Sequence, residues 1–237
     1  SNVTKYLTQW TMDDVESVGL LKIDFLGIRY LTMVSNIVEQ IKKDNPSFDI
    51  TKINYADQKV YNLFTQGRTE GIFQFESSGM KEKLRLLRPT EFNDIVAMNA
   101  LYRPGPMAQI ETYVRRKHGE EKVVYPHPHL EKILRDTYGV IVYQEQIMLI
   151  AVNFAHMSLN EADNMRRAVS KKKKEDLEYY GRIFIEKSVA AGYDLNIAKK
   201  LFDLIVTFAN YGFNKSHAVV YSMLAYRLAY LKVYYTK

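Results

Sequence analysis

The sequence predicts a mainly α-helical fold with a few short strands. Apolar side chains recur at helical spacing in most segments, and capping residues or proline and glycine breaks separate those segments. With 237 residues and 47% hydrophobic content, the chain can build a real core, as one large domain or two small ones. It ends inside or just after a strong helical pattern, which favours a segment of a longer protein.

The first element is "GLLKIDFLG", residues 19–27, a short apolar run bounded by glycines. This pattern predicts a mostly buried strand. Because side chains alternate across a strand, Lys22 and Asp24 share the face opposite the apolar residues. They form either an ion pair on a solvated face or a site in which a carboxylate binds a metal ion and the lysine meets an anion. The strand alone does not choose between these interpretations.

Helices follow in the first half of the chain. A helical pattern from Leu31 is expected to end before Pro46. Ser77 or Ser78 is expected to cap the next long helix, which carries the stripe described below. A further helix over residues 91–101 must end at "YRPGPM", because two prolines and a glycine cannot continue it.

The second half has three local signals. The stretch "GVIVYQEQ", residues 139–146, begins as either a brief strand or a buried helical entry, and the pattern leaves both open. Ser158 and Glu161 have the spacing of a capping box at a helix start. A later amphipathic helix precedes "NYGFNKSHA", where Ser216 can cap a final long helix.

Basic side chains concentrate in two helices. Six of the ten residues from 165 to 174 are cationic and none is acidic, which suits either a solvated helix end or an anion site. Adjacent arginines point about 100° apart on a helix, so one of Arg166 and Arg167 can pack while the other reaches a phosphate. The other helix carries a stripe at i, i+4 and i+7: Lys81, Arg85 and Arg88.

The turn "FNKSH", residues 213–217, supplies an amide, an ammonium, a hydroxyl and an imidazole just before a helix. Helix N-termini attract phosphate, so this turn is either a second anion site or an ordinary capping turn. The net charge of +6 is consistent with an acidic partner such as a nucleic acid or nucleotide, although many proteins are this basic.

Several classes of protein are excluded by composition and motif. The absence of cysteine rules out disulfides and thiolate metal sites and favours a reducing compartment. No apolar run approaches the roughly 18 residues of a membrane span. Phosphate-binding glycine loops and the serine nucleophile elbow are both missing.

Six stretches together resemble one family: "GLLKIDFLG", "GIFQFESSGM", "ALYRPGPM", "YPHPHLEKILRDTYGVIVYQEQ", "RRAVSKKK" and "YGFNKSHAVVYSMLAYRLAYLK". They are similar, in order and spacing, to bacterial DNA polymerase III alpha subunits of the DnaE type. The resemblance implies a right-hand polymerase with a nucleotidyltransferase-type palm. It makes residues 1–30 the last palm strand segment and residues 31–237 the helical fingers domain.

The resemblance also implies site residues. Asp24 matches the third palm carboxylate that holds the catalytic Mg²⁺ ions, and Lys22 matches a lysine near the triphosphate. Arg166 and Arg167 match a pair that resembles the family's triphosphate ligands. The residues that match the lining of the nucleotide pocket are Asn214, Lys215 and His217. The other palm aspartates belong to a "P-D-x-D-x-D" stretch that this chain lacks, so the isolated fragment is expected to be inactive.

The implied function is template-directed DNA synthesis by the full subunit. Its partners would be primer-template DNA, deoxynucleoside triphosphates, the remainder of the alpha subunit and the polymerase III holoenzyme, in the bacterial cytoplasm and without a membrane. Charge alone assigns DNA contacts to Lys81, Arg85, Arg88, Lys172 and Lys173. Gln74 and Arg103 match motifs but receive no role. The alternatives are a non-catalytic helical nucleic-acid-binding module and a helical domain whose basic face is merely solvated.

Overall fold

The chain is mainly helical, as predicted, in a computed structural model that describes residues 8–21, 23, 27–171, 174–209 and 211–236. The α-helices of these residues are α1 Met12–Ser17, α2 Arg29–Asp44, α3 Gln58–Thr65, α4 Ser78–Leu87, α5 Phe92–Leu101, α6 Ile110–Lys117, α7 Glu131–Leu134, α8 Gln144–Ala155, α9 Leu159–Lys171, α10 Lys174–Ala190, α11 Leu195–Ala209 and α12 Lys215–Tyr234. Single 3₁₀ turns lie at Ile50–Lys52, Pro106–Gln109, Pro128–Leu130 and Arg135–Thr137.

Side-chain caps set the start of several helices. Ser77 caps α4 by accepting from the backbone N–H of Met80 at 3.3 Å. At α9, the Ser158 N–H donates to the Glu161 carboxylate at 2.7 Å, and the Glu161 N–H donates to the Ser158 hydroxyl at 3.2 Å. Both caps confirm the prediction, and each satisfies N–H groups that a helix start leaves without an intrahelical partner.

The cap predicted for the last helix was wrong. Asn214, and not Ser216, caps α12, because its Oδ1 accepts from the N–H of His217 at 2.8 Å. The N–H of Lys215 is taken by the carboxylate of Glu145, at 3.0 Å to each oxygen. With its first turn satisfied in this way, the helix begins before Ser216 and that residue lies inside it.

Two hydrophobic cores hold the helices together. The first packs α12 against α2, α3 and α5, with α4 and α6 behind them, and fully buries Phe64, Leu84 and Ile95. The second packs α7 to α11 around Phe154 and Phe184. Helix α12 buries side chains along most of its length and so forms the spine of the first core. The junction between the cores falls where α8 and α12 begin.

Strand content among the described residues is smaller than predicted. Residues 140–143 are buried and lead into α8, which begins at Gln144, and among the described residues the β-structure is one isolated parallel bridge between Tyr143 and Phe213. Leu21 and Ile23, expected in a mostly buried strand, are exposed and outside any strand. A strand needs a neighbour for its backbone groups, and among the described residues neither Leu21 nor Ile23 is paired with another segment. Positions 22 and 24–26 of that run lie outside the described residues.

Candidate functional site

The parallel bridge joins residues 139–146 to residues 211–218, and a side-chain hydrogen bond adds Arg166 of α9 to this junction. The N–H of Phe213 donates to the carbonyl of Val142 at 3.0 Å, and the N–H of Gln144 donates to the carbonyl of Phe213 at 2.9 Å. The Gln144 side-chain oxygen then accepts from Arg166 Nη1 at 3.2 Å. The beginnings of α8 and α12 are therefore tied to the middle of α9, and we call this junction the cationic site.

The two arginines of the cationic site have different surroundings. Arg166 donates to Asp163 Oδ1 through Nε at 3.0 Å and Nη2 at 2.7 Å, and its side chain is 18% exposed. Arg167 donates to Asp163 Oδ2 through Nε at 2.8 Å, and its side chain is 65% exposed. The Arg166 guanidinium is thus anchored, whereas Arg167 is exposed to solvent. The 100° offset between adjacent helical positions allows this difference.

Asp163 is the shared acceptor for both guanidinium groups. Hydrogen bonding to Arg166 and its positive charge, with a further contribution from Arg167, lower the pKa of Asp163 below its usual range. The carboxylate is therefore ionised at neutral pH and offsets one of the two positive charges. Arg166, Arg167 and Asp163 together retain a net charge of about +1, and the exposed member of the three is Arg167.

The start of α12 forms the second part of the cationic site. Glu145 accepts from the Lys215 N–H, while the Lys215 ammonium lies 5.3 Å from the centre of the Tyr143 ring. Asn214 uses its side-chain oxygen for the helix cap. The carboxylate of Glu145 thus lies at the N-terminus of α12, where the helix dipole favours negative charge.

A cavity of about 210 Å³ lies next to Phe213. It is lined by Gln74, Met80, Asn99, Tyr102, Arg103, Phe213, His217 and Tyr221. The His217 ring stacks on Tyr221 with 4.0 Å between centroids, and the Arg103 guanidinium lies 4.3 Å from the Phe213 centroid. Three of the matched motif residues, Gln74, Arg103 and His217, therefore meet here although they are far apart in sequence.

Arg103 has a clear structural task in this cavity. Its Nε donates to the carbonyl of Ala100 at 2.9 Å, and its Nη2 donates to the carbonyl of Tyr211 at 2.7 Å. Burial lowers the pKa of Arg103. The guanidinium joins the end of α5 to the turn before α12, which fixes the wall formed by Phe213. Asn99 and Tyr221 also line the cavity, and sequence analysis did not identify them.

The basic stripe on α4 is only partly free. Lys81 Nζ lies 2.6 Å from Glu70 Oε1, and the hydrogen bond to Lys81 helps lower the pKa of Glu70 to about 2. Arg85 is exposed and its Nε donates to the carbonyl of Gln66 at 3.4 Å. Arg88 is exposed and ends α4 with a left-handed backbone, φ 45°. The available charge of this stripe therefore comes from its two arginines.

Some predicted residues cannot be compared with the structure. Lys22, Asp24, Lys172 and Lys173 lie outside the described residues. Within the described residues, no three His, Asp or Glu side chains gather in a way that could hold a metal ion. The helices of the described part also include none that is both long and apolar enough to span a membrane.

Fold and site together define the class as a helical domain with a cationic site at the junction of α8, α9 and α12. The family model of the bacterial DNA polymerase III alpha subunit finger domain matches residues 30–192. The chain therefore belongs to the bacterial DNA polymerase III alpha subunit family, as its motifs predicted.

Similar proteins agree with this assignment. The chain is 54% identical over 233 residues to the DNA polymerase III subunit alpha of Staphylococcus aureus (strain COL), which covers 98% of the chain and 22% of that protein. It is 54% identical over 231 residues to the DNA polymerase III subunit alpha of Bacillus subtilis (strain 168), covering 97% of the chain and 21% of that protein. The chain spans about a fifth of the length of the curated relatives it matches.

Proposed function

We propose that this chain forms the last palm strand segment, residues 1–30, and the fingers, residues 31–237, of a replicative right-hand polymerase subunit. The full subunit would synthesise DNA on a template by metal-dependent nucleotidyl transfer in the bacterial cytoplasm. This segment would bind the incoming deoxynucleoside triphosphate and the primer-template. Family membership supports the general assignment.

The observation that carries the proposal is the asymmetric arginine pair. The Arg167 side chain is 65% exposed, and its guanidinium is held only at Nε among the contacts of the described residues, so its two terminal nitrogens remain available. A guanidinium fork matches phosphate oxygens bidentately. Anchored Arg166 and the start of α12 lie on the same junction. We assign Arg167 to the triphosphate, together with Lys215 at the start of α12 and His217 in the adjoining cavity.

The metal ions of the reaction are proposed for the full subunit only. Asp24 would supply one carboxylate and Lys22 a charge near the triphosphate, on the strength of the motif match. The described residues do not by themselves fit a Mg²⁺ site. Two-metal phosphoryl transfer needs several carboxylates, so the other metal ligands must come from outside this chain.

DNA contacts are assigned to exposed basic side chains. Arg85 and Arg88 are exposed and suit phosphate contacts, whereas Lys81 is paired with Glu70 and should contribute less. Lys172 and Lys173 follow the arginine pair in sequence and are assigned to the diffuse field of the DNA. These contacts would position the duplex without reading its sequence.

Steady-state kinetics in the full subunit test the assignment. Arg167→Ala should raise the KM for nucleotide and lower kcat, because the triphosphate is held most tightly during transfer. Arg182→Ala, which removes an exposed arginine of α10, is the matched control and should change neither. Changing Lys172 and Lys173 to alanine should instead weaken DNA binding and flatten its salt dependence.

Two outcomes would contradict parts of this proposal. Unchanged nucleotide KM and kcat in Arg167→Ala, with weaker DNA binding, would remove α9 from the triphosphate site and assign it to DNA contacts. Substantial primer extension by an Asp24→Asn subunit would remove Asp24 from the metal site.

A further inference from the structure

We propose that Asp163 is a positioning residue of the nucleotide site, which orients Arg167 and at the same time limits its affinity for free phosphates. This inference rests on the proposed function, because it assumes that Arg167 meets the triphosphate. It assigns a distinct task to a carboxylate that no motif singled out.

The first step is geometric. Asp163 divides its two oxygens between the arginines: Oδ1 accepts from Arg166 at 2.7 and 3.0 Å, and Oδ2 accepts from Arg167 at 2.8 Å. Arg166 is held on its other side by Gln144 at 3.2 Å. The carboxylate is therefore held in place by a half-buried arginine, and through Oδ2 it orients the exposed Arg167.

The second step concerns freedom of the side chain. An exposed arginine loses rotamer entropy when it binds a ligand. Because Asp163 binds Arg167 at Nε, the stem is already ordered while the terminal nitrogens remain available. A preorganised donor reaches a transferring phosphoryl group without reorganisation, which favours rate over ground-state affinity.

The third step concerns charge. The carboxylate is ionised, since its hydrogen bonds to Arg166 lower its pKa. It therefore repels any anion that approaches Arg167 and offsets part of the attraction. Removal of this charge should strengthen binding of a phosphate anion. Loss of the hydrogen bond from Arg167 to Asp163 should leave the Arg167 guanidinium less well ordered.

The test separates the two effects by using inorganic tripolyphosphate for affinity and the full subunit for rate. Asp163→Asn should bind tripolyphosphate about three- to tenfold more tightly than the wild-type chain in calorimetric titration, because one like charge near the site is gone. In the full subunit the same change should lower both kcat and KM for nucleotide. Asp163→Glu, which keeps the charge, should stay close to wild type in tripolyphosphate affinity.

The controls distinguish this inference from the proposed function. Asp44→Asn makes the same change in net charge at the exposed end of α2 and should leave the tripolyphosphate affinity unchanged. Circular dichroism verifies that each variant is folded. If Arg167→Ala weakens binding but Asp163→Asn does not strengthen it, the role of Asp163 is wrong and the proposed function stands. If Arg167→Ala has no effect on tripolyphosphate binding, both are wrong.

Discussion

Replacing Arg103 with lysine keeps the positive charge but removes the planar guanidinium, which bonds two carbonyl groups at once and so holds the cavity wall. The guanidinium donates to two carbonyls, at 2.9 and 2.7 Å, and lies 4.3 Å from the Phe213 centroid. Lysine can replace one of these hydrogen bonds at most. A hydrogen bond from a charged group contributes about 1.5 to 3 kcal/mol, and a cation–π contact about 0.5 to 1 kcal/mol. Because Arg103 is only half-buried, we expect the lower end, a loss of about 2 kcal/mol.

Urea unfolding of the chain measures this loss directly. Arg103→Lys should lower the unfolding midpoint without a large change in slope, since the folded surface is nearly the same. Arg182→Lys, on an exposed face of α10, is the matched control and should leave the midpoint within error. A midpoint for Arg103→Lys equal to that of the wild type would refute the argument that its fork joins α5 to the turn before α12.

Three further changes test the fold around the site. Lys117→Met should cost about 3 kcal/mol in urea unfolding, because it leaves fully buried Asp94 without the ammonium that lies 2.9 Å away. Gly79→Ala should destabilise the chain by about 1 to 3 kcal/mol, since a Cβ there would overlap the Tyr102 hydroxyl oxygen; a Tyr102→Phe background should relieve most of this. The pKa of Glu161 is lowered to about 2, so its stabilising contribution is present above about pH 4.5 and is lost as the pH falls toward 2; Glu161→Gln should therefore lower the melting temperature at pH 7 more than at pH 3.

Local features of the fold could be predicted from sequence. Ser77, the Ser158–Glu161 pair and the break at "YRPGPM" depend on residues within a few positions of one another, and the structure confirms all three. A cap or a proline acts on its own turn, so sequence spacing contains the needed information. The buried entry at residues 139–146 remained open because its partner Phe213 lies about 70 residues further along the chain.

Features that depend on distant partners could not be predicted. Arg103 matched a motif, but its role needs the carbonyl of Tyr211, which is 108 residues away in sequence. Leu21 and Ile23 share the alternation of a strand but are exposed and outside any strand, because alternation cannot supply the neighbouring backbone that a strand requires. Asp163 is different, because its i, i+3 and i, i+4 spacing to Arg166 and Arg167 was a readable signal of an ion pair.

Calorimetric titration of the chain with a deoxynucleoside triphosphate tests the central claim most directly. We expect saturable binding by the wild-type chain, a clear loss of affinity in Arg167→Ala, and wild-type affinity in Arg182→Ala, which removes the same charge on α10. Equal losses in the two arginine variants would mean that the nucleotide senses only net charge. Wild-type affinity in Arg167→Ala would contradict a triphosphate site at the junction of α8, α9 and α12.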